Sequence, residues 1–181
     1  MFTVLSIAAF SGSLFPTAAR ANDVGVSDLL GTWKLVDSAN AEAARAEAVE
    51  ASVSEMPFYM RAIARHRLRG PTQLPDRVVV LQNPASEVAI WLTAADGTVD
   101  NALYLPLNGE PRPYEKLGNA LQVDLQSACA GLNRRFAGDD GVRSEILEAS
   151  DRTARLTVKI AASVLPKPIQ FTVPLVREVS P

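Results

Sequence analysis

Hydrophobic and polar positions alternate with a period of two along most of the second half of this chain. Leu121, Val123 and Leu125 share one face of the stretch 120–127. Leu156, Val158 and Ile160 alternate with Thr157 and Lys159. Ile169, Phe171, Val173 and Leu175 keep one phase, and Arg177 continues it. This is the pattern of strands with one face buried. Stretches 78–81, 88–92 and 102–107 are shorter, mostly apolar runs, and these, with the mixed stretches 131–136 and 142–148, also read as strands. Turn signals at Asp96-Gly97, Asn108-Gly109 and Asp139-Asp140-Gly141 separate them. A further strand comes early, at 31–38, with Trp33 and Leu35 on one face and Thr32 and Lys34 on the other.

Between that early strand and the rest, the period changes. Residues 40–69 are rich in Ala, Glu and Arg and contain no Gly. Apolar positions at Ala46, Val49, Val53 and Met56 have helical spacing. Asn40 is a suitable cap, and Glu42 and Glu47 favour the early turns. Pro57 fits the start of a helix and not its interior. The segment therefore predicts two helices, 40–55 and 57–68, ended by Gly70 and Pro71. One strand, two helices and about eight closely spaced strands make a mainly β protein. Hairpin connections favour an up-and-down antiparallel barrel of about 8–10 strands, with the two-helix insert between its first and second strands. Nothing alternates strand with helix, as a doubly wound parallel sheet requires.

Composition narrows the class. The 181 residues fit one domain, and 48% of them are hydrophobic. Charged residues make up 21% and the formal net charge is -2, which excludes a disordered polyelectrolyte and the basic excess of a nucleic-acid binder. No apolar run reaches the roughly 18 residues of a transmembrane helix. Residues 1–15 carry no charge and lead to Ala19-Arg20-Ala21, a small-x-small pattern. They are read as a signal peptide, 1–21, although no Lys or Arg stands near Met1. The domain is then 22–181, and the protein is exported, to the periplasm or the outside. The bland alternative for 1–15 is an apolar strand. Cys129 is the single cysteine, so no internal disulfide forms, and it reads as a small buried residue.

The stretch Leu30-Gly31-Thr32-Trp33-Lys34-Leu35-Val36 resembles the G-x-W opening strand of lipocalins and of bacterial lipocalin-like domains. The helix pair after the first strand resembles fatty-acid-binding proteins, where it lids the barrel mouth. The ending Leu165-Pro166-Lys167-Pro168-Ile169-Gln170-Phe171-Thr172, up to Arg177, is similar to the close of the bacterial domains. The resemblance implies a calycin-type barrel in which Trp33 and Arg177 form a barrel-closing pair. A guanidinium over an indole is worth about 0.5–2 kcal/mol. The other role that the resemblance offers Arg177 is a carboxylate grip with a Tyr two residues on. Val179 stands there, so the plug role is preferred.

Chemistry-bearing residues are few. Arg61, Arg65 and Arg69 recur every four residues beside His66 and Arg67. They read either as a cationic rim for an anionic head group or as a solvated face balanced by the Glu residues of the first helix. His66 is the only histidine and lies among arginines, which spoils it as an oriented base. One His and one Cys make no zinc site, and no phosphate or dinucleotide loop is present. On the late strands, Arg143 and Glu145 face inward if Leu147 does, and outward if Val142 and Ile146 face in, a choice that a one-residue slip inverts. Arg134 is likewise open.

Two readings follow. In the first, the barrel binds a small hydrophobic or amphipathic, fatty-acid-like molecule without catalysis. Its contacts would be Met56, Phe58, Tyr59, Met60, Ile63, Trp91, Tyr104, Phe136 and Phe171, and its head group would meet Arg61, Arg65 or Arg143. In the second, Trp91, Phe136 and Phe171 fill the barrel and the domain serves structure or interaction. An enzyme working through barrel carboxylates ranks last, for want of an acid/base constellation. No cofactor, metal or nucleic-acid partner is expected.

Overall fold

In the computed structural model the described residues are 25–94, 96–97, 103–116, 118–128 and 131–178. The segment 1–21, read above as a signal peptide, lies outside them with Cys129 and Val179, as does Ala102 at the start of one expected strand. The chain runs α1 (Val26–Leu29), β1 (Gly31–Leu35), α2 (Ser38–Val53), α3 (Phe58–Leu68), then β2 (Pro75–Gln82) and β3 (Val88–Ala94). It continues with β4 (Arg112–Lys116), β5 (Asn119–Ala128), β6 (Gly131–Gly138), β7 (Gly141–Ser150), β8 (Thr153–Ala162) and β9 (Ile169–Arg177). All neighbouring strands are antiparallel, in the order β3-β2-β1-β9-β8-β7-β6-β5-β4. The sheet curls into a half-barrel, with two of the three helices between its first two strands. This is the mainly β architecture that the periodicity predicts. Between the end strands β3 and β4, two isolated bridges, Val88 with Leu105 and Asn108 with Gln126, tie in the connecting segment.

The local differences have physical causes. The expected strand at 102–107 is reduced to the bridge at Leu105, since Pro106 offers no N–H to a ladder. β4 was not expected, because Arg-Pro-Tyr-Glu-Lys shows no apolar alternation. The helix cap is Asp37, not Asn40. Asp37 takes a left-handed conformation (φ 54°) and accepts a hydrogen bond from the Asn40 N–H at 3.3 Å. Of the four expected apolar positions, Val49, Val53 and Met56 are buried, whereas Ala46 is exposed.

The strand register fixes which side chains face inward. Trp33 lies opposite Val78 and Arg177, and Val78 lies opposite Leu92. These four share the inner face. Val173, Leu156, Leu147 and Leu132 form one inner row, and Phe171, Val158, Glu145, Arg134 and Leu125 the next. Ile169, Ile160, Arg143, Phe136 and Val123 form a third row, farthest along β9 from Trp33. One continuous apolar cluster joins both walls with Leu29, Val49, Val53 and Met56 of the helices. The helical insert is fastened at the end away from Trp33. Ser52 Oγ donates to the Lys167 carbonyl at 2.7 Å, and Lys167 pairs with Glu55. Arg45 reaches Thr72 Oγ1 at 3.1 Å, joining α2 to the segment after α3.

Candidate functional site

Two constellations stand out, at opposite ends of the half-barrel. The first is built on Trp33, which is wholly buried. Its indole Nε1 donates to the Leu29 carbonyl at 2.8 Å, so the short α1 supplies the acceptor that a buried indole needs. The Arg177 guanidinium lies 4.4 Å from the Trp33 ring centroid. It donates through Nη1 to the Leu30 carbonyl at 2.8 Å and through Nη2 to the Asp28 carbonyl. Gly31 has φ +119°, a region that side chains disfavour, and this places the Leu30 carbonyl beneath the guanidinium. The glycine, tryptophan and arginine of the motif thus form one covered end.

The second constellation lies in the inner wall of β6 and β7. The two-residue turn at Asp139-Asp140 pairs Gly138 with Gly141, and four pairs further back Arg134 faces Glu145. The buried Glu145 carboxylate accepts from Arg134 Nε at 2.8 Å and Nη2 at 2.5 Å, both on Oε2. Its Oε1 sits 2.6 Å from Arg143 Nη2. Arg134 Nη1 continues across the interior to the Ile90 carbonyl of β3. Burial acts to raise the Glu145 carboxyl, but the two guanidinium groups, with Lys116 behind them, more than offset it. The group is held below the usual carboxylate range and stays charged. Phe136 packs beside the cluster, 4.9 Å from the Arg134 guanidinium and 6.0 Å from the Tyr114 ring in an edge-on contact.

Inside this cluster two atoms lack a hydrogen bond. Arg143 Nε is buried and makes none, and the buried Glu145 Oε1 meets Arg143 Nη2 only as an ion pair. The Arg143 side chain, with Tyr114 and Phe136, is only partly covered, whereas the rows behind it are closed. The open part of the inner wall is therefore cationic and aromatic. Tyr114 and Lys116, in phase on β4, border it.

The other sequence candidates scatter. Phe171 is buried in the inner wall beside Val158, and Met56 is buried beneath the insert. Phe58, Tyr59, Met60 and Ile63 are exposed, with Phe58 at 83%. Only Leu68 of α3 is buried, so these apolar groups face away from the barrel and do not line it. Trp91 is also displaced from its expected place. Leu92 pairs with Val78 on the Trp33 side, so Trp91 lies on the convex face. The run 88–92 is apolar throughout, and its phase is not visible in the sequence. Tyr104 is half-buried beside the bridge at Leu105. The insert arginines do not join Arg143. Arg65 makes a two-pronged bond to Glu50 at 2.7 and 3.0 Å, and Arg61 Nε donates to the Met56 carbonyl at 2.9 Å. His66 is exposed. Among the described residues no three His, Cys, Asp or Glu side chains gather as metal ligands, and no helix is long and apolar enough to cross a membrane. Arg134 and Glu145 did not enter the sequence-based ligand set. Counting pairs back from the Asp139-Asp140 turn would have placed them opposite each other.

No protein-family model matches the chain, and no curated protein sequence matches it. Solved structures do resemble it. A secretary abundant heat soluble (SAHS) protein from Ramazzottius varieornatus is 10% identical, with a TM-score of 0.56 over 83% of this chain and 96% of that one. Lipid binding protein 8 from Caenorhabditis elegans is 13% identical, with a TM-score of 0.55 over 86% and 99%. The Schistosoma mansoni fatty acid binding protein, solved with arachidonic acid, is 15% identical, with a TM-score of 0.52 over 84% and 98%. The chain therefore has the calycin-type fold of fatty-acid-binding and lipocalin-like proteins. At these identities the likeness is one of fold, and the site must be argued from its own residues.

Proposed function

We propose that this protein is an exported, non-catalytic binder of a small amphipathic molecule, whose anionic group is held by Arg143 at the open end of the half-barrel. One observation carries the reading. A guanidinium nitrogen, Arg143 Nε, is buried on an inner wall without an acceptor, between an aromatic patch and a carboxylate already bonded to Arg134. Buried donors normally have partners, and an orphan at a partly open site invites one. A carboxylate or similar anion would complete it with a charge-assisted bond. Phe136 and Tyr114 would cover the apolar part of the guest. The lipid-binding proteins of the same fold support the ligand class, and the Ala19-Arg20-Ala21 pattern supports export. Glu145 is no general acid in this reading, because two arginines hold it ionised.

The test uses anilinonaphthalene sulfonate, an anionic aromatic fluorophore. It should bind the purified protein, and Arg143→Leu should weaken binding by about tenfold or more while leaving the circular dichroism unchanged. Equal affinity in the variant, or no binding by the parent protein, defeats the reading. Native mass spectrometry of protein from its own host would then identify the retained amphiphile.

A further inference from the structure

Room for a guest is unevenly distributed along the interior. Leu125, Leu132, Leu147, Leu156, Val158 and Val173 all point inward and are only 0–1% exposed. Water reaches none of them from either side, so the space they border is filled by side chains. Arg134 supplies the reason at one level. It leaves β6, passes Glu145 and bonds the Ile90 carbonyl on β3, on the opposite wall. One arginine thus bridges the two walls. A single side chain can span two walls only where they stand close, as in sheets packed face to face about 10 Å apart. An interior of that width holds side chains rather than an enclosed tail. Nearer the open end, by contrast, the inward residues Phe136, Arg143 and Tyr114 are partly uncovered.

We infer that the ligand seat is shallow, floored by the Arg134–Glu145 bridge, and that it selects an anion with a short apolar or aromatic tail over a long acyl chain. This rests on the reading of Arg143 as the anchor and adds a length limit to it. Arg143 grips the anion, Phe136 and Tyr114 cover the first few carbons, and the bridge blocks the path toward Trp33. Arg134 and Glu145 are then specificity residues. Neither is free to hold the ligand, since each is committed to the other.

The experiment is a chain-length series. Saturated carboxylates from hexanoate to palmitate, below their micelle concentrations, compete with anilinonaphthalene sulfonate for the native protein. Each methylene that becomes buried should tighten binding about fourfold. A floored seat gives that increment up to about octanoate and then levels off, with less than a tenfold gain from octanoate to palmitate. A rise continuing past a hundredfold over that interval overturns the length limit and leaves the Arg143 reading standing. Failure of every carboxylate to displace the probe overturns both. In Arg134→Ala/Glu145→Ala, which removes the bridge and leaves Arg143 as the cation for the guest carboxylate, palmitate should gain at least tenfold over octanoate. An unchanged ratio in a folded double variant also overturns the inference. If that variant does not fold, the native series still decides.

Discussion

Replacing Glu145 with Leu isolates the physics of the buried cluster. The change removes the carboxylate that, among the described residues, faces both Arg134 and Arg143. The Arg134 side chain is only 6% exposed, and Arg143 only 19%. Arg134 cannot turn into water without opening the wall, and Arg143 reaches water only in part. Removing one partner of a buried ion pair costs about 3–5 kcal/mol, because the remaining charge stays desolvated. For a domain of this size that lowers Tm by roughly 6–20 °C. Urea unfolding at pH 7, followed by tryptophan fluorescence, should show a midpoint at least about 1 M lower, with an unchanged slope. The control is Arg134→Met/Arg143→Met/Glu145→Leu. With all three charges gone, stability should return to within about 1 kcal/mol of the parent or exceed it. A loss below about 1 kcal/mol for Glu145→Leu alone would refute the reasoning, since the arginines would then be solvated already.

Three more outcomes are expected. Glu145 has a depressed pKa, so its ionised form stabilises the fold above the ordinary carboxylate pKa of about 4.3, and that stabilisation is lost as pH falls below it. Acid titration of Glu145→Gln should lack this part of the fall while starting from a less stable protein at pH 7. Arg177→Met removes the cation–π contact and two backbone-carbonyl bonds. It should cost about 1–3 kcal/mol in urea and shift the tryptophan emission through Trp33. Phe58→Ser/Ile63→Ser alters exposed side chains only and should move stability by less than about 0.5 kcal/mol, a direct check that α3 turns them outward.

Much of the architecture is legible in the sequence because its physics is local. β5, β8 and β9 alternate cleanly in sequence, since one face of each packs inward while the other carries polar residues, of which Asp124 on β5 is buried. The helix pair shows as a change of period. What stays hidden depends on neighbours distant in sequence. β4 places Arg112, Tyr114 and Lys116 on its inner face, and inward polar residues erase the expected pattern. On β7, Val142 and Ile146 compete with Leu147 for the inner face, and only the pairing of Leu147 with Leu132 and Leu156 decides it. Trp33 and Arg177 can be matched by order along the chain, whereas the Arg134 contact with the Ile90 carbonyl follows from the curl of the whole sheet.

The adjacency of β1 and β9 has a consequence for how the molecule assembles. The guanidinium that covers Trp33 belongs to a residue 147 positions after the carbonyl of Leu30 that it binds. During synthesis the opening strand emerges with an unsheltered tryptophan and waits for nearly the whole remaining chain. Closing so long a loop makes this seam a late, slow event. Until it closes, the β1 edge is the place where a chaperone or another nascent copy would attach.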